Sequence, residues 1–324
     1  MPRTAAATAP KRTCDIGTAG VTAYATGRLM GTDCQIRATH RWAAEGLAAV
    51  DAGWAAVAEC ERLWSRFRPD SELCRINEVG RVGTTTIEVS ALTVSLIAAM
   101  KWAYSASGGW VEPSLLHQVI AAGYDRDFQD LSANGPALAT TPRPDPEHGT
   151  LADVTVQGNE ITLTRPVRLD SGGVGKGLAA DLVADSIMRE GALGALVNLG
   201  GDIRAIGCDQ HGRPWTINIA DERATDSQPL TSWEITDSAV ATSSVTRRRW
   251  AGGHHLIDPR TWEPSQSDVL ASTVAAHDAL AAEVAAKTAL LMGVAAGSEW
   301  LAKRNTTAVL TGTDGSIHWI DAGE

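Results

Sequence analysis

The sequence predicts an α+β (mixed α/β) fold built as a single domain. Three observations lead there. Long alanine-rich segments repeat their apolar residues at helical spacing. Short apolar and β-branched runs lie between Gly, Pro, Asn and Asp turn signals. The two kinds of segment interleave without strict βαβ alternation. The 324 residues, 44% of them hydrophobic and 20% charged, supply ample core for an ordinary globular chain.

In chain order, residues 1–18 read as a flexible N-terminal arm and 19–324 as the domain. Residues 22–26 and 34–38 read as strands around the turn Met30-Gly31-Thr32-Asp33. Residues 42–66 read as a long helix, with Val50, Trp54, Val57, Ala58 and Trp64 on one face and Pro69 behind its stop. A second helix spans 91–106 and ends at Gly108-Gly109. Residues 126–150, rich in Pro, Gly, Ser and Thr, read as a surface excursion. Residues 153–157 and 160–165 read as a hairpin about Gly158-Asn159. A strand over 167–170, a glycine loop, a helix over 176–190 and a strand over 195–199 form the next unit. Strands follow at 215–220 and 240–242, an amphipathic helix at 277–292, and closing strands at 307–310 and 317–320.

Formal net charge is −10, with a pI of about 5.3. A general nucleic-acid binder is not expected, because the only compact basic run is Arg247, Arg248 and Arg249. That run reads as a solvated loop or strand edge. The five cysteines show no zinc-ribbon or redox spacing, and free buried thiols suit a reducing compartment. No apolar run reaches signal-peptide or membrane-span length, so no membrane partner is expected and a soluble, cytoplasmic protein is.

Three segments carry candidate chemistry. In Asp170-Ser-Gly-Gly-Val-Gly-Lys-Gly177, glycines between a strand and a helix let a ligand approach the backbone. The helix start after Gly175 presents free N–H groups, and Lys176 adds a point charge. The glycines match neither G-x-G-x-x-G nor a P-loop. Alone, the loop reads either as a phosphate site or as a tight turn with a surface lysine. In Asn198-Leu-Gly-Gly-Asp202, the glycines fit a bulge or a ligand wall, and Asp202 a hydroxyl acceptor or a turn cap. In His254-His255-Leu-Ile-Asp-Pro-Arg-Thr261, adjacent histidines on a strand point opposite ways, so one can enter a pocket as a proton acceptor.

In order, Met30-Gly31-Thr32, Ser65-Arg-Phe-Arg-Pro-Asp-Ser71 with Asn77, Gly109-Trp-Val-Glu-Pro-Ser114, Gly123-Tyr124-Asp125, the glycine loop, Asn198–Asp202, Trp215 with Ile219, Val240-Ala-Thr-Ser243, the His255 segment and the late helix resemble the ApbE family over roughly residues 20–322. The resemblance implies strands and helices around a flavin cleft. In that cleft FAD is the substrate and Mg²⁺ bridges its pyrophosphate. A Thr or Ser hydroxyl of a target protein attacks the FMN-side phosphorus, and AMP leaves. By the same resemblance Met30, Phe67, Lys176, Asp181, Gly201 and Asp202 contact FAD, with Phe67 stacked on the flavin. His255 is implied as general base, and the Gly175 carbonyl, Glu283 and Thr288 as metal ligands.

The chain departs from the family pattern on the late helix, where Asp-x-x-x-Thr becomes Glu283-Val-Ala-Ala-Lys287. A protonated lysine has no lone pair for a metal. Either Thr288 ligates after a register slip, or Lys287 pairs with Glu283 or stands in for the metal's charge. Glu112, Ser114, Ser171 and Ser244 are milder changes, and Trp262 replaces a glycine in a turn that favours the left-handed conformation. The activities to separate are FMN transfer to protein, Mg²⁺-dependent FAD hydrolysis to FMN and AMP, FAD binding without turnover, and generic nucleotide binding.

Overall fold

A computed structural model describes residues 9–128, 131, 148–223, 228–250 and 253–323. Most of the 126–150 excursion lies outside these residues. The first three strands are β1 (Lys11–Ile16), β2 (Val21–Leu29) and β3 (Thr32–His40). They are followed by α1 (Ala43–Trp64), α2 (Glu72–Val79), β4 (Thr85–Glu88), α3 (Ala91–Ser107) and α4 (Leu116–Ala121). The hairpin β5 (Val154–Gln157) and β6 (Glu160–Leu163) precedes α5 (Gly175–Arg189). Next come β7 (Gly194–Leu199), β8 (Asp202–Gly207), β9 (Trp215–Ala220), β10 (Pro229–Ile235) and β11 (Ser238–Ser244). The chain closes with β12 (Arg249–Trp250), β13 (Gly253–His254), β14 (Val269–Ala276), α6 (Ala279–Met292), α7 (Val294–Ala302), β15 (Ala308–Gly312) and β16 (Ile317–Ile320).

Nine strands form one sheet in the order β1-β2-β3-β7-β8-β11-β14-β15-β16. Every neighbouring pair in it is antiparallel. Side chains alternate between its faces. On one face Ala23, Ile36, Ala38 and Val197 meet Val50 and Val57 of α1 and Val183 of α5, and α6 covers β11 and β14 beside them. On the other face Leu196, Ile203 and Val240 pack against Trp215, Ile217 and Ile219 of the β9–β10 ribbon. Strand β9 buries every second residue, as its sequence alternation requires. The architecture is α+β in one domain.

Two expectations need correction. Residues 11–16 are not a loose arm but an edge strand paired with β2 from Lys11↔Thr26 to Ile16↔Val21. Its side chains stay mostly exposed, so backbone pairing does most of the holding, helped by Arg12 on Asp51 of α1 and by Cys14 against the core, and no hydrophobic pattern announced it. Residues 167–170 join no ladder. Their backbone is held piecemeal: Val167 N donates to Gly80 O at 2.9 Å, Leu169 N to Asn77 Oδ1 at 2.6 Å, and Asp170 N to Pro113 O at 2.8 Å. Apolar content gave the segment a strand's look, while its partners are a helix end, an amide side chain and a loop.

Candidate active site

The helix-covered face ends in an open cleft of about 1240 Å³, counted out to its mouth. The C-terminal end of α1, the loop after it, the segment around Trp110, the glycine loop, the β12–β13 region and α6 all contribute walls.

Part of the lining is aromatic. Phe67 and Tyr124 lie 5.5 Å apart between ring centroids. The Arg66 guanidinium sits 4.2 Å from the Phe67 ring and 4.3 Å from that of Tyr124. It also donates to Tyr124 O at 2.8 Å and pairs with Asp170 at 3.4 Å. A cation held over two ring faces stiffens both rings. Trp250 backs Tyr124 at 5.7 Å, with its indole N–H on Ala122 O at 2.9 Å.

Three cations, Lys176, Arg248 and Lys287, also line the cleft. Lys176 Nζ donates to Glu283 Oε1 at 2.8 Å and also to Asp202, and both carboxylates are buried. Burial works to lower the pKa of Lys176, but the two carboxylates hold it above its ordinary value. Burial and the charge of Glu283 push the carboxyl of Asp202 up, to about 7. For Glu283, burial is outweighed by the ammonium groups of Lys176 and Lys287, so its pKa is lowered.

His255 also lines the cleft. Burial, followed by Arg248 and Lys287, drives its pKa well below the usual histidine value. Its Nδ1 is buried and makes no hydrogen bond among the described residues. His254, next door, is committed to structure: Nε2 meets Ser265 O at 3.0 Å and Nδ1 accepts from Leu256 N at 3.2 Å. One of the two histidines therefore enters the pocket, but not by strand alternation, since β13 ends at His254.

The glycine loop leads into α5 at Gly175, as expected. Asn77 grips Leu169 just upstream, and Ser171 Oγ donates to Trp64 O at 3.0 Å, fixing the loop to the end of α1. Gly177 is required by packing, because a Cβ there would fall 2.5 Å from Ala279 O of α6. Glu112 and Ser114 bond to each other, the hydroxyl donating to Glu112 Oε1 at 2.7 Å.

Met30, Phe67, Gly175, Lys176 and His255 all line the cleft, and Asp202 and Glu283 lie beneath Lys176. Three of the residues expected at the site stand elsewhere. Asp181 faces α6 and not the cleft: its carboxylate accepts from Ala279 N at 2.8 Å and Leu280 N at 2.9 Å, satisfying the free donors of that helix start. Gly201 does not line the cleft. With Gly200 it makes the two-residue β7–β8 turn at φ +100° and +69°, which favours glycine. Thr288 is fully buried, and its hydroxyl donates to Val284 O of its own helix at 2.7 Å.

Arg248 was missed by sequence reasoning. Its neighbour Arg247 is a surface residue paired with Glu222, at 2.6 Å from Nη2, and that is what the basic run resembled as a whole. The available signal was its position: Arg248 O accepts from His255 N, at 3.3 Å, across the strand pair leading to the histidine.

Magnesium does not fit the donor set implied for it. Glu283 spends Oε1 on Lys176 and Oε2 on Gly177 N at 2.9 Å. Thr288 is turned into its helix. Lys287, one turn beyond Glu283, places Nζ 3.0 Å from Gly172 O, over the glycine loop. Magnesium demands a near-octahedral oxygen shell, and here an ammonium stands among the donors.

Comparison with known proteins gives a consistent result. The model of the ApbE family matches residues 30–311. A curated FAD:protein FMN transferase of Treponema pallidum is 27% identical over 297 residues, covering 81% of this chain and 78% of that protein. The apo flavinyl transferase ApbE of Pseudomonas stutzeri superposes with a TM-score of 0.76 at 20% identity, covering 94% of this chain and 97% of the other. The flavin transferase ApbE of Vibrio cholerae gives 0.72 at 22% identity, covering 96% and 97%. At these identities the two structural matches carry the fold.

Proposed function

The chain belongs to the ApbE family, and from that premise we propose that it is an FAD:protein FMN transferase. It takes FAD as substrate and attaches FMN through a phosphoester bond to a Thr or Ser of a target protein, releasing AMP. One observation carries the reading: a single cleft is lined by Phe67 and Tyr124, by Lys176, Arg248 and Lys287, and by His255, whose pKa burial and the neighbouring cations lower well below the usual histidine value. The aromatic wall suits an isoalloxazine and the cationic wall a pyrophosphate.

In this reading Phe67 offers its ring to the flavin, with Met30 beside the glycine loop. Lys176, in the first turn of α5, faces the phosphates. The acceptor hydroxyl oxygen bonds to the FMN-side phosphorus as the bond to the bridging oxygen breaks. The hydroxyl proton passes to His255, and the electron pair leaves with AMP. Catalysis is then mostly positioning and charge neutralisation.

The cytoplasm is the proposed compartment, and the five cysteines, all free, suit it. No helix among the described residues is long and apolar enough to cross a membrane.

The test is incubation with FAD and a threonine-bearing acceptor protein, read by mass spectrometry. FMN mass on the acceptor supports transfer. Free FMN and AMP without acceptor modification overturn transfer in favour of hydrolysis, and unchanged FAD leaves a binding protein.

A further inference from the structure

Resting on the flavin reading above, we infer that the ammonium groups of Lys176 and Lys287 take the place of a divalent cation at the FAD pyrophosphate, so that this chain binds FAD and transfers FMN without a metal.

The two ammoniums approach the phosphate end from different elements. Lys176 comes from the first turn of α5 and Lys287 from the third turn of α6. Each has donors to spare. An ammonium carries three N–H groups. Those of Lys176 serve Asp202 and Glu283, and that of Lys287 serves Gly172 O, which leaves each with at least one N–H facing a cleft that both line.

Lys287 reaches over the glycine loop, with Nζ 3.0 Å from Gly172 O and 2.8 Å from where a Cβ on Gly173 would stand. Its chain end thus puts an ammonium over the loop.

The charges balance without a metal. Asp202 and Glu283 are buried and bind Lys176. Withdrawing Glu283 to ligate an ion strips that ammonium of a partner and leaves Gly177 N without an acceptor. An arriving divalent ion also meets Lys287 and Arg248 as like charges. An arriving pyrophosphate meets the opposite: three cations, two of them point charges of the kind that bind phosphate in other nucleotide sites. Burial lowers the pKa of Lys287 below its ordinary value, and Glu283 offsets part of that. A pyrophosphate dianion beside it favours the charged form.

The experiment measures FAD affinity by flavin fluorescence, in EDTA and in magnesium, on the full chain and three variants, with Mn²⁺ titrated by EPR in parallel. Expected for the unaltered chain is the same FAD affinity in both buffers and no bound Mn²⁺. Lys287→Arg retains affinity in EDTA. Lys287→Met, of similar length and no charge, weakens FAD in EDTA roughly tenfold or more. Lys287→Thr combined with Glu283→Asp weakens it likewise in EDTA, recovers in magnesium and gains a Mn²⁺ signal. FAD binding by the unaltered chain that vanishes in EDTA and returns with magnesium overturns the inference while leaving the flavin reading intact. So does a Lys287→Met variant, folded by circular dichroism, with unchanged affinity in EDTA. Failure to bind FAD in either buffer overturns both.

Discussion

The side-chain amide of Asn77 holds both polar groups of the Leu169 backbone, giving Nδ2–H to its carbonyl at 2.8 Å and taking its N–H on Oδ1 at 2.6 Å. A residue on α2 thereby does for one position what a neighbouring strand does in a sheet. Asn77 is buried, so water cannot replace either bond. Two positions downstream the glycine loop begins.

Asn77→Ala is therefore expected to cost about 2–4 kcal/mol in urea unfolding, since it orphans a buried N–H and a buried C=O together. FAD affinity should fall with it, because the loop loses its upstream anchor. A loss below about 1 kcal/mol would show that Leu169 finds other partners.

His255 sets the pH dependence of transfer. Burial, Arg248 and Lys287 lower its pKa, so its base form is already present at neutral pH. The rate should stay flat as pH falls through the ordinary histidine range and decline only well below pH 6.5. His255→Ala should abolish transfer and leave FAD affinity nearly unchanged. An acid limb centred near pH 6.5, or full activity in the variant, removes His255 as the base.

Asp181 makes stability depend on pH with a definite sign. Burial raises its pKa from 3.8 to about 6, against the two α6 N–H groups that lower it. Below the unfolded value both states hold the proton. As pH rises to about 6 the unfolded chain has lost it and the folded chain has not, so stability falls. The total is about 2–3 kcal/mol. Urea unfolding across this window should show the unaltered chain losing stability relative to Asp181→Asn. A difference independent of pH rules this out.

Trp262 sits at φ +63°, a region that bulky side chains rarely adopt. The turn is pinned by Trp262 N on Asp258 O at 2.8 Å and Arg260 N on Asp258 Oδ1 at 2.8 Å. Trp262→Gly should relieve strain and stabilise the protein by about 1 kcal/mol. Thermal unfolding reads the sign, and a lower midpoint would mean that the indole's packing outweighs the strain.

The sequence displayed the fold wherever burial was periodic. Residues 215–220 and 317–320 became strands with those bounds, and the four longest helices lie within two residues of expectation. It was silent where backbone pairing outweighs side-chain burial, as in β1, and misleading where apolar residues are held by a side chain, as at Leu169. At the site, residues tied to local turns and rings surfaced: Met30, Phe67, Lys176 and His255 all reach the cleft. Asp181 and Thr288 did not, because family position gives a residue's place on a helix and not the face it finds occupied. Asp181 meets the start of α6, and Thr288 its own backbone. Arg248 was hidden inside a charge run whose first member is an ordinary surface ion pair.

The pairing of β3 with β7, which sets Cys34 opposite Leu199, reaches across most of the first two-thirds of the chain. The cleft adds a further demand, since Phe67 waits for His255 and for Lys287 near the end of α6. On the ribosome Phe67 emerges more than half a chain before Lys287, so the cleft has all its walls only once α6 has been made.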